Sequence, residues 1–294
     1  MPLTDLDRDA TARLSEWLKE LVDGASLTPR GEALARFAAT NPRFVAFRSA
    51  TAVAERTGDH PATVVRFAQR LGFSGWTEFQ LHFRHHYLGT LSLEGLLRDQ
   101  KLSRSTDQPV HAALERDIQN LQAVLASIDA KEVHDIARAI AQSRRTLVIS
   151  AGSYAAIGHV FAHLARFMGY DVTLEARGGA HIVAALTNLR AGDCLVAVSF
   201  WRLFKDIVLA TQHCQERDIT TIVITDSIFS PLANDATHVI TVPTESISFF
   251  QSSTAALSVV YGLLGELSEI GGARVTETVR QSENLYDALD VLFD

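Results

Sequence analysis

Leu6, Leu14, Trp17, Leu18 and Leu21 fall near one face of a helix over residues 6–22, the spacing of an amphipathic segment with one packed side. Thr28-Pro29 predicts the next helix start, because proline is tolerated in a first turn. Leu34, Phe37 and Ala38 continue the apolar stripe until Asn41-Pro42. The helical pattern reaches about residue 91, and Leu102-Ser103-Arg104-Ser105-Thr106-Asp107-Gln108-Pro109 then turns polar and loses periodicity. The pattern predicts an all-α domain over 1–90, a linker over 91–109 and a second domain over 110–294.

The second domain has a different rhythm. Leu114, Ile118, Leu121, Val124 and Leu125 mark one helix, and Val133, Ile136, Ala137 and Ile140 another. Short β-branched runs follow at 146–149, 171–174, 195–198, 221–224 and 239–242, separated by helical stretches. Near-continuous apolar strands alternating with helices predict an α/β fold, a five-stranded parallel sheet covered on both faces. In such sheets ligands sit at the carboxyl ends of the strands. A long helix over 250–269 and a last one over 274–294, through Val275, Val279, Leu285, Leu289 and Leu292, complete the chain.

Within the first domain, Ser49 to Thr57 reads as a short helix with Ser49 as N-cap, and Gly58-Asp59-His60 as a tight turn. Pro61 opens a second helix that Gly72 stops. Val64, Phe67, Ala68 and Leu71 recur at i, i+3, i+4 and i+7 and must face the core. Thr63, Arg66 and Arg70 lie on another side, within about 60° of one another at about 100° per residue. A packed face, an arginine-bearing face and a short preceding turn make a helix-turn-helix over about 49–71. Such arginines read guanine, grip phosphate, or form an ordinary solvated face, and the pattern leaves these open.

Charge sharpens the picture. The chain of 294 residues carries a net charge of −7, yet residues 30–88 hold eight arginines against Glu32, Glu55, Asp59 and Glu78, a balance of +4. One basic segment embedded in an acidic protein suits a DNA-reading module joined to a body with another task. The two cysteines, Cys194 and Cys214, form no metal spacing and no disulfide framework. His82, His85 and His86 lack accompanying carboxylate or cysteine ligands and read as neutral solvated residues; His159 and His163 lack the glutamate of a zinc hydrolase motif. No metal or cofactor is expected. The acidic start and the absence of a long apolar run point to the cytoplasm and away from a membrane.

The run Ala62-Thr63-Val64-Val65-Arg66-Phe67 followed by Leu71-Gly72-Phe73-Ser74-Gly75, with Thr51 to Gly58 before it, resembles the N-terminal domain of RpiR-family regulators over about 27–90. The resemblance implies a double-stranded DNA operator as partner, contacted by Thr63, Arg66 and Arg70, with Ser49, Thr51 and Ser74 offering hydroxyls and helix N-termini to phosphates. The chain departs from that family in the turn, where His60 precedes Pro61 in place of a serine cap, so Asp59 or His60 must cap.

The stretch 110–270 resembles the SIS (sugar isomerase) domain, which implies a flavodoxin-like fold, a small-molecule effector and a homodimer or homotetramer. From the residues themselves, Ser150-Ala151-Gly152-Ser153-Tyr154 lets a ligand approach backbone N–H groups, but with one glycine it gives no dinucleotide fingerprint. Arg177 to His181 and Ser199 to Asp206 place serine, aromatic rings and cations at strand ends, and Glu245, Ser246 and Ser248 join the same edge. Ser150, Gly152, Ser153, Tyr154, His181, Ser199, Trp201, Arg202, Lys205 and Glu245 are the candidate effector residues. Phosphosugar-binding relatives have a hydroxyl-rich second loop; here Trp201, Arg202 and Phe204 replace its serine, glycine and threonine. Either the loop fits a different ligand, with Arg202 or Lys205 pairing an anionic group and Trp201 stacking on a ring, or these rings pack at a subunit interface.

The expected function is a transcription regulator whose operator affinity changes with a small metabolite, a sugar phosphate or another anionic compound. The alternatives are a sugar-phosphate isomerase, with His181 or Glu245 as base, a domain that serves only to dimerise, and an accessory protein that binds only proteins.

Overall fold

A computed structural model describes residues 5–90 and 108–291, apart from 202, 229, 235 and 249. The chain divides into two units, 1–105 and 106–294. The expected linker lies outside the described residues as far as 107, and so does Arg202.

The first unit is helical: α1 (Asp5–Asp23), α2 (Pro29–Thr40), α3 (Pro42–Phe47), α4 (Ala50–Thr57), α5 (Pro61–Arg70) and α6 (Trp76–Thr90). Phe79, fully buried on α6, organises its core. Its ring lies 6.5 Å from Trp17, 5.5 Å from Phe67 and Phe73, 5.3 Å from Trp76 and 5.6 Å from Phe83. Rings at such offsets gain from their quadrupoles beyond the area they bury. Leu14 and Leu18 from α1 and Leu34 and Ala38 from α2 join the same cluster.

The second unit opens with α7 (Pro109–Ser127) and α8 (Ala130–Gln142) and continues through β1 (Thr146–Ser150), α9 (Ala155–Phe167), β2 (Val172–Glu175), α10 (Ala180–Leu186), β3 (Cys194–Val198), α11 (Lys205–Gln215), β4 (Thr220–Thr225), β5 (His238–Thr241) and α12 (Thr254–Leu289). The five strands pair in parallel in the order 2-1-3-4-5. β1 and β3 are buried at every residue, so both faces need cover. The strand period of two divides the work. Val148, Val196, Ile222 and Ile224 pack with α8, α9 and α12, while Leu147, Ile149, Leu195, Ala197 and Val223 pack with α10 and α11.

Two expectations change. The two final helices run on as one element broken at Gly272, whose φ of 46° and ψ of −122° interrupt the helix. The stripe on α7 is mostly not core: Val124 is buried, but Leu114, Ile118 and Leu125 are exposed. Cys194 and Cys214 are free and buried, and burial pushes both thiols up to about 11, so neither is a ready nucleophile.

Phe79→Ala removes the ring that the other aromatics of the first unit share, and should cost about 3–5 kcal/mol. Urea unfolding of the full chain should show the loss in the transition of the helical unit; a cost near that of a surface substitution would contradict Phe79's central place.

Candidate functional site

The α4–turn–α5 pair is built by its caps. Ser49 Oγ accepts the Ala52 N–H at 3.3 Å, and Gly58 ends α4 at φ 71°. His60 is the N-cap of α5, its Nδ1 accepting the Ala62 N–H at 3.3 Å. That bond leaves the ring proton of neutral His60 on Nε2, a donor. Asp59 does not cap; its carboxylate takes Arg30 Nε and, at 2.6 Å, the Thr57 hydroxyl. At the far end Gly72 has φ 95°, with its N–H donating to Gln69 O and that of Phe73 to Ala68 O, a Schellman cap that fixes the helix's length.

On α5, Val64, Phe67 and Ala68 are buried, Thr63 is half-buried, and Arg66 and Arg70 are exposed. Arg66 Nε donates to Ala62 O at 3.2 Å and lies along the helix surface. Arg70 reaches across to Ser26 O at 3.2 Å, which ties α5 to the loop after α1. Ser49, Thr51 and His60 are exposed at the N-terminal ends of α4 and α5. Ser74 is exposed, but its hydroxyl and its backbone N–H both bond Glu78, and together they hold that carboxyl below its usual range. The expectation of solvated histidines fails at two of the three: His82 is buried, 5.2 Å from Phe73, and His86 stacks on Trp17 at 4.2 Å. The side chain of His85 lies outside the described residues. Among the described residues no three histidine, cysteine or acidic side chains form a metal-ligand group.

In the second unit, β1, β2, β3 and β4 deliver their loops to one carboxyl edge. Ser150 is buried and its hydroxyl donates to Val198 O at 3.0 Å, clamping β1 to β3. Gly152, at φ 59°, opens a 3-10 turn into α9, and a Cβ there would lie 3.7 Å from Phe204 Cζ. Ser153 is exposed. Tyr154 is buried, edge-on to Phe200 at 5.0 Å. Burial and the Asp226 charge push its phenol far above its usual pKa, so it stays a donor.

After β3, Ser199 is fully buried and its hydroxyl has no partner among the described residues. Trp201 sits at φ 54°, a left-handed backbone that few side chains adopt without support; its N–H donates to Asp226 Oδ2 at 3.0 Å. Lys205 and His181 are exposed at the first turns of α11 and α10. Glu245 is spoken for: its carboxylate accepts Arg116 at 3.0 Å and its carbonyl accepts Asn120 at 2.8 Å, binding the last loop to α7. The structure thus sets Tyr154 and Trp201 near Asp226, leaves Ser199 buried without a side-chain partner among the described residues, and gives Ser150 and Glu245 bonding roles inside the fold.

Sequence reasoning missed three acids of this edge. Asp226 directly follows β4, and Asp206 Oδ2 accepts the Gly179 N–H at 2.9 Å. Glu175, the last residue of β2, accepts the Arg177 N–H and guanidinium. The Arg177 hydrogen bonds hold the Glu175 carboxyl below its usual range. A position immediately past the end of a strand was the signal that could have found Asp226.

Comparison with known proteins agrees with this architecture. Residues 139–264 match the SIS domain family. An uncharacterized HTH-type transcriptional regulator of Caldanaerobacter subterraneus subsp. tengcongensis is 24% identical over 277 residues, covering 91% of this chain and 94% of the relative. The sugar isomerase domain of an RpiR transcription factor from Sphaerobacter thermophilus superposes with a TM-score of 0.59 at 28% identity, over 60% of this chain and 99% of its own. The Vibrio vulnificus NanR protein complexed with ManNAc-6P gives a TM-score of 0.60 at 20% identity, over 95% of this chain and 98% of its own. The parallel sheet in the order 2-1-3-4-5, with loops gathered at its carboxyl edge, is that of an SIS domain. Joined to a helical N-terminal unit, it gives the chain the architecture of the HTH-type and RpiR-like transcriptional regulators it is similar to. Among the described residues no helix is long and apolar enough to cross a membrane.

The turn supplies a pH test. Burial alone would raise the Asp59 pKa, but hydrogen bonds from Arg30 and Thr57 and the Arg30 charge outweigh it and leave the carboxyl lowered. A lowered folded-state pKa contributes stability that is complete above the unfolded value, about 4, and lost as pH falls through the folded value. Asp59→Asn should therefore cost stability near neutral pH and flatten the acid limb of urea midpoint against pH. An unchanged acid limb would remove Asp59 from the account.

Proposed function

We propose that the chain binds double-stranded operator DNA through α4 and α5, and that a small metabolite at the carboxyl edge of the SIS sheet changes that affinity. The first unit, about 1–90, reads DNA, and the second, 110–294, senses and assembles. The observation that carries the DNA-binding half is α5 itself, capped at both ends, buried through Val64, Phe67 and Ala68, and exposing Arg66 and Arg70. Thr63 and Arg66 face bases or phosphates; Ser49, Thr51, His60 and Ser74 meet the backbone at helix starts. Arg70, already tied to Ser26 O, positions the helix and adds charge.

An operator read by paired heads needs a symmetric assembly. The exposed stripe Leu114, Ile118, Leu125 and Ile128 on and beyond α7 supports one; with half-buried Leu121 its spacing alternates four and three residues, that of a helix–helix seam. The enzyme alternative is weaker: Glu245 is bonded to Arg116, leaving His181 as the exposed candidate base.

Arg66→Ala should weaken binding to the operator about 10- to 100-fold with unchanged circular dichroism. Equal affinity would move the reading surface off α5. Leu114→Asp with Ile118→Asp should yield monomers in sedimentation; retained oligomers would place the interface elsewhere.

A further inference from the structure

Phosphate-binding loops work by presenting unoccupied backbone N–H groups, small residues and helix starts to the anion. At this carboxyl edge four such donors already hold carboxylates of the chain itself. Gly179 N–H donates to Asp206 Oδ2 at 2.9 Å, and Ile207 N–H, in the first turn of α11, to Asp206 Oδ1 at 3.0 Å. Trp201 N–H, in the loop after β3, donates to Asp226 Oδ2 at 3.0 Å. Arg177 N–H, in the loop after β2, donates to Glu175. Gly152, the small residue of the first loop, is met by the Phe204 ring.

We propose that this edge excludes phosphomonoesters and takes instead an unphosphorylated metabolite with a planar heteroaromatic ring. The inference rests on reading the edge as the effector site. A phosphate would have to displace Asp206 or Asp226 from N–H groups they satisfy, beside carboxylates of its own sign, and push Phe204 off Gly152. A flat ring meets no such conflict. Phe204 is exposed and offers it a stacking face. Ser199 supplies a second, independent sign of a ligand: its hydroxyl is fully buried and has no partner among the described residues, an unmade bond that a polar ring edge can complete. The Tyr154 phenol, beside Asp226, provides a further donor.

Titration calorimetry on the full-length chain tests this with two sets of probes: inorganic phosphate with hexose phosphates, and uracil, hypoxanthine and nicotinate. The expected result is saturable binding within the heteroaromatic set, weakened at least about tenfold by Phe204→Ala and by Ser199→Ala, and none by phosphates. Phe204→Ser with Asp206→Ser, which uncovers Gly152 and releases two N–H groups, should gain phosphate binding; Phe204→Ser alone controls for folding. Saturable phosphate binding by the unaltered chain overturns the inference while leaving the effector reading intact. If the chain binds operator but no probe of either set, and operator affinity ignores both sets, the inference falls together with the effector reading.

Discussion

Everything in the second unit follows from strands that no water touches. β1 and β3 are buried from end to end, and a parallel pair cannot be closed by a tight turn, so each connection must cross over, and the first three do so through α9, α10 and α11. Alternate residues then demand cover on opposite faces, which α8, α9 and α12 supply on one side and α10 and α11 on the other. The polar termini of these connections collect at the carboxyl edge, where the order 2-1-3-4-5 places the reversal of direction beside β1 and β3.

At that edge the chain's own acids hold backbone N–H groups. Asp206 and Asp226 do more than decorate the loops: they hold Gly179, Ile207 and Trp201 in place. The Asp226 bond also supports the left-handed backbone of Trp201, a conformation that costs on the order of 1–3 kcal/mol unsupported. In the first unit a comparable economy of bonds sets α5. His60, the Gly72 cap and the Arg70–Ser26 contact fix where α5 starts, ends and points.

The architecture was legible in the sequence because it rests on periodicity. The five strand runs, the caps at Ser49 and Gly72 and the packed face of Val64, Phe67 and Ala68 all emerge from spacing alone. The candidate site was legible only in part. Tyr154, Ser199 and Trp201 stood out as candidates because their loops follow apolar runs, while Ser150 and Glu245 gave no hint of their bonds to Val198 and Arg116. Those bonds join residues 48 and 129 positions apart, and no local pattern encodes them. Asp226 and Asp206 escaped for the same reason, since an acid at a loop looks solvated until its backbone donors are known. The stripe on α7 was readable as apolar, but which of its residues face this chain's own core required the packing itself.

The central claim is that the two units share one equilibrium, so that ligand and operator each change the other's affinity. Linkage requires the two effects to be equal. The most direct measurement is therefore the affinity of the full chain for its strongest-binding small molecule, determined with and without saturating operator DNA. The account predicts that operator shifts this affinity by the same factor by which the ligand shifts operator affinity. Identical ligand affinity in the two conditions would contradict it and leave two units that bind independently.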